Sequence, residues 1–121
     1  MSVNDVLKFI KDKEAEFVDL RFTDPRGKLQ HLTMDASIVD EDMLKDGVFF
    51  DGSSIAGWKA INESDMILKP DTSRYFLDPF TSHNTAVLFC GILDAVKKSP
   101  YERDPRGVAK KAEEYLKSSG V

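Results

Sequence analysis

The chain has 121 residues, 41% of them hydrophobic and 31% charged, which is enough for one domain with a core of its own. Seventeen basic residues against twenty-one acidic ones give a net charge of −4, which argues against a general nucleic-acid binder. No apolar run reaches the length of a membrane span, no signal-peptide pattern opens the chain, and one cysteine cannot form an internal disulfide, so a cytoplasmic setting is expected.

Ser2 and Asp5 form a capping-box pattern before a short helix ending near Lys13, with Val3, Val6, Leu7 and Ile10 toward one side. From Phe17 the period changes to two: Val18, Leu20 and Phe22 alternate with Phe17, Asp19 and Arg21, predicting a strand with one buried face. Thr23–Gly27 is turn chemistry, and Lys28–Met34 is the returning strand, with Leu29 out of phase with Leu32 and Met34. Ser37–Asp46 reads as a short helix capped by Ser37 or Asp40 and stopped by Gly47. Met66–Leu68 and Tyr75–Leu77 read as two brief extended pieces, each ended by a proline. Thr85–Leu93 is the most apolar run and predicts a central strand covered on both faces. Asp104-Pro105 marks a helix start, followed by a stripe of Val108, Ala109, Ala112, Tyr115 and Leu116. The order predicts an α+β fold: a β-grasp-like mixed sheet with a helix across it, plus a C-terminal helix.

The stretch Phe49–Trp58, F-F-D-G-S-S-I-A-G-W, departs from this scaffold pattern. Gly52 and Gly57 permit unusual backbone, and Asp51, Ser53 and Ser54 offer oxygens to the backbone or to a ligand. On spacing alone, the commoner explanation is a plain turn whose serines bond the backbone, with Glu63 and Asp65 as solvated acids and Trp58 as a packed aromatic. Cys90 falls inside the apolar run and reads as an inert core thiol. His31 and His83 have no nucleophile or metal-ligand spacing near them, and no phosphate-binding glycine loop is present.

Phe50-Asp51-Gly52-Ser53-Ser54, eight residues, Glu63-Ser64-Asp65, two residues and Leu68 together resemble the N-terminal signature of bacterial-type (class I) glutamine synthetase. Phe17–Asp24, Gly57–Met66, Asp78–Phe80 and Arg103–Arg106 extend that resemblance along the chain. It implies a β-grasp domain over 1–100, and over 101–121 the start of the linker or first helix of a catalytic domain that would follow. It implies an ATP-dependent ligase that forms glutamine from glutamate and ammonia through a γ-glutamyl phosphate, with Mg²⁺ or Mn²⁺. Its active sites lie between neighbouring subunits of a ring, so the partners are the chain's own catalytic domain and the next subunit. The residue matching Asp51 binds ammonium and takes its proton, the one matching Ser54 sits in the same shared loop, and the one matching Trp58 lies near the nucleotide. No metal ligand is expected within these residues, and the isolated chain is expected to be inactive. Subunit-facing residues, such as Ile55, Trp58 and parts of Thr85–Leu93, are expected to be wet in isolation. The competing expectation is a stand-alone β-grasp interaction or regulatory module, which has no need of an acidic loop with acids at fixed distance.

Overall fold

A computed structural model describes residues 2–24, 26–51, 65–94, 99–102 and 104–120, with positions 51 and 65 described through their backbone. Helix α1, Val3–Asp12, begins on the expected capping box: Asp5 N donates to Ser2 Oγ (3.3 Å) and Ser2 N to Asp5 Oδ2 (3.0 Å). Its buried residues are Val6 and Ile10, so Val6 lies at the centre of the apolar side.

Strands β1 (Phe17–Thr23) and β2 (Leu29–Asp35) form an antiparallel hairpin. Asp24 shapes its turn, with Oδ1 accepting from Arg26 N and Lys28 N, each at 2.9 Å. The single helix expected over Ser37–Asp46 is split. Asp35 caps Ser37 N to start a 3-10 turn, Ala36–Ile38, and extended backbone at Val39 and Asp40 interrupts it. Helix α2, Glu41–Asp46, then starts at Asp40, whose Oδ1 accepts from Met43 N (2.8 Å).

Strand β3 (Val48–Asp51) was not marked by the sequence pattern, being four residues of an edge strand. The two brief pieces expected beyond it are one strand, β4 (Asp65–Leu77). Pro70 does not end it, because pairing with β3 stops at Leu68 and the ladder to the next strand is irregular between Pro70 and Tyr75. A missing N–H is tolerated at such a place. Strand β5 (Thr85–Asp94) is central, as expected.

The sheet order is β2-β1-β5-β4-β3, with β1 and β5 parallel and the other pairs antiparallel. Helices α1 and α2 cover one face: Val6, Ile10 and Leu44 pack with Val18, Leu20, Met66, Leu68, Leu88 and Ile92. This is the mixed sheet with helices of a β-grasp domain. The wet surface expected along Thr85–Leu93 is absent from its first half: Thr85 to Leu88 are buried, as are Cys90 and Ile92, because β5 has a strand on each side. Helix α3 (Pro105–Ser118) follows, capped by Asp104, and buries none of its residues.

Candidate functional site

The main chain of Asp51 is placed by three features. Gly47 ends α2 with φ +89° and ψ −176°, a region that residues with a side chain enter only under strain. A Cβ there would lie 2.4 Å from Ile67 Cγ2 and 2.6 Å from Leu68 O. Lys69 Nζ donates to the carbonyl of Leu44 (3.3 Å) and to that of Lys45, holding the end of α2 against β4. Strand β3 then runs in register: Val48 opposite Leu68, Phe49 opposite Ile67, Phe50 opposite Met66 and Asp51 opposite Asp65. Phe50 packs on the core with its ring centroid 5.4 Å from that of Phe22, while Phe49 is 65% exposed. The residue before Asp51 is therefore an aromatic anchor.

Residues 52–64 link the two strands and lie outside the described residues, and with them Ser54, Trp58 and Glu63. The backbone of Asp65 is directly across the ladder from Asp51.

A second polar cluster escaped the sequence reading. Asp19, on the face of β1 away from the helices, is buried. Its Oδ1 accepts from His31 Nδ1 (2.8 Å) and Thr33 Oγ1 (3.0 Å), and its Oδ2 from Arg21 Nε (2.9 Å). Arg21 Nη2 also donates to Asp78 Oδ2 (2.7 Å). Burial pushes the Asp19 carboxyl up, but the bonds from Arg21, His31 and Thr33 outweigh it and hold the group below the usual carboxylate range. An ionised carboxylate has no proton to give, so His31 carries its hydrogen on Nδ1. These residues, with Thr81 and Thr85, line a cleft of about 330 Å³. The alternation of Asp19, Arg21, His31 and Thr33 along two paired strands was the available signal; the partner Asp78, 57 residues from Arg21, gave none.

The cluster lies toward the β2 side of the sheet, whereas Asp51 ends the opposite edge strand. Four strand spacings separate the two edges, roughly 19 Å. The cluster holds β1, β2 and the β4–β5 turn together and does not meet Asp51. His83 is elsewhere again, its Nδ1 2.7 Å from Glu16 Oε2 on the surface. Cys90 is buried and its thiol is pushed up to about 12 by burial, as an inert core residue should be. Among the described residues no three His, Cys, Asp or Glu side chains are grouped to hold a metal, and no helix is long and apolar enough to cross a membrane.

A family model described as the β-grasp domain of glutamine synthetase matches residues 14–95. The glutamine synthetase of Rhizobium meliloti (strain 1021) is 64% identical over 120 residues, covering 99% of this chain and 26% of that protein. That of Bradyrhizobium diazoefficiens is 58% identical over the same length, again covering 26% of the relative. The chain thus spans about a quarter of the length of the curated relatives it matches. The cryo-EM structure of Plasmodium falciparum glutamine synthetase matches all of this chain with a TM-score of 0.88 at 26% identity, over 23% of its own chain.

Proposed function

The chain belongs to the glutamine synthetase β-grasp family, and from that premise we propose that it serves an ATP-dependent glutamate–ammonia ligase by lending Asp51 to the active site of a neighbouring subunit. The observation that carries this reading is the family match over residues 14–95, a span that includes Asp51, Ser54 and Trp58. In this reading residues 1–100 are the lending domain and residues 101–121 open the path to the catalytic body. The assembly is a cytoplasmic ring.

Ammonium is no nucleophile until it loses a proton. A carboxylate within hydrogen-bond reach selects the cation by charge and accepts that proton. The freed ammonia attacks the γ-carbonyl carbon of γ-glutamyl phosphate, a C–N bond forms, and the C–O bond to phosphate breaks. The carboxylate must be held in place, since misplacement erodes the effective concentration of the reacting pair. The registered strand β3, with Phe50 partly buried against the core just before Asp51, gives the main chain that support. In this reading Ser54 belongs to the same loop, and Trp58 lies near the nucleotide. ATP and Mg²⁺ or Mn²⁺ belong to the assembled ligase; the described residues include no cluster that fits the ion.

The test is Asp51→Ala in a ligase carrying this domain. Turnover should fall by roughly 10²–10⁴ with a raised ammonia KM, and ATP affinity should be unchanged. An unchanged ammonia KM and turnover would remove the role.

A further inference from the structure

Helix α3 buries none of its own residues, and Val108, Tyr115 and Leu116 are exposed, so its direction is not set by packing along its length. It is set at its root. The last β1–β5 pair is Arg21 with Phe89, and beyond that point β5 would have a bare flank. Residues 99–101 take up that flank: Asp94 N donates to Ser99 O (2.9 Å), and Tyr101 N to Ile92 O (2.8 Å). The next acceptor is not backbone. Ile92 N donates to Asp104 Oδ2 (2.9 Å), while Asp104 Oδ1 accepts from Arg106 N (3.1 Å) in the first turn of α3. Asp104 is 3% exposed. Two residues on, Arg106 Nη2 pairs with Asp71, at the irregular part of β4.

We propose that Asp104 is a joint that fixes the direction in which α3 leaves the sheet, one carboxylate acting as strand partner to β5 and as helix cap to α3. A carboxylate is suited to this because both its oxygens accept, whereas an amide offers one acceptor and one donor. The Arg106–Asp71 pair makes a second point of attachment, so α3 is held against β5 and β4 at once. Strand β4 is also the strand whose first residue lies opposite Asp51. Where the ligase reading holds, the joint therefore ties the Asp51 strand to the polypeptide beyond α3; that consequence alone rests on the reading above.

Asp104→Asn separates the two roles, because Asn caps helices as well as Asp does. It is made in this chain and followed by amide exchange and residual dipolar couplings. Helix α3 should stay helical, the Ile92 amide should exchange roughly tenfold faster or more, and α3 couplings should no longer fit the original angle to β5. Asp40→Asn, whose carboxylate caps α2 alone, is the control and should alter neither. An unchanged α3 angle overturns the proposal, whatever the Ile92 amide does. Should Asp104→Asn not fold, the wild-type chain decides: a scalar coupling across the hydrogen bond from Ile92 N to the Asp104 carboxylate carbon supports the joint, and its absence overturns it. None of these measurements reads glutamine formation, so their failure and the failure of the ligase reading are told apart.

Discussion

Asp51 closes β3 directly across the ladder from Asp65, the residue that opens β4. The segment carrying the family signature is thus held at both ends by one pair of hydrogen-bonded strands. The shorter of these is an edge strand four residues long, so whatever fixes β3 fixes Asp51.

Gly47 is the first such element. Its dihedral angles belong to a region that other residues occupy at a cost of about 1–3 kcal/mol. An added Cβ would also collide with the backbone of Leu68. Gly47→Ala should therefore destabilise the chain by about 2–4 kcal/mol, read as a lower urea midpoint with an unchanged slope.

Phe50 is the second. Removing its ring takes away the contact with Phe22 and leaves a partly filled space over the core. Phe50→Ala should cost about 1–3 kcal/mol, less than a fully buried phenylalanine. Amide exchange should quicken at Val48–Asp51 more than at β1 or β5.

The Asp19 cluster governs the acid limb. Its carboxyl lies below the ordinary value in the folded chain. Its contribution is therefore present above the unfolded pKa, about 3.9, and is lost as pH falls through the lower folded one. Asp104 has the opposite sign. Burial raises its pKa, so ionising it in the folded chain carries a cost. That cost is absent below the unfolded value and is incurred as pH rises through the raised one, while its bonds to Ile92 N and Arg106 N offset part of it. Asp19→Asn should cost about 2–4 kcal/mol at neutral pH, since the amide removes the negative charge and leaves one acceptor oxygen where Arg21 and His31 each had their own. The loss of melting temperature below about pH 4 should be shallower in Asp19→Asn than in the parent, and an equal slope would exclude Asp19 as its source.

What the sequence made legible was local or long-patterned. Ser2 with Asp5, and Asp104 before Pro105, act within a few residues, so their caps could be read directly. The apolar run at Thr85–Leu93 announced its central place because burial on both faces removes alternation. Pro70 misled, because whether a proline ends a strand depends on which neighbour needs its N–H, and pairing with β3 had already stopped at Leu68. Asp19 was read as outward-facing because its burial depends on Arg21, His31 and Thr33 meeting it across the sheet. At the candidate site, the spacing from Phe50 to Leu68 marked the family. The pairing of Asp51 with Asp65 became visible only in the fold, and Ser54 and Trp58 lie outside the described residues.

The claim that Asp51 is lent across a subunit boundary is tested most directly by co-assembling two inactive ligases. One carries Asp51→Ala, and the other an intact Asp51 with a disabled catalytic body. In a ring of head-to-tail contacts, random mixing in equal amounts should restore about a quarter of the sites. Recovered glutamine formation near that level is the predicted result. A mixture as inactive as either parent would contradict the account.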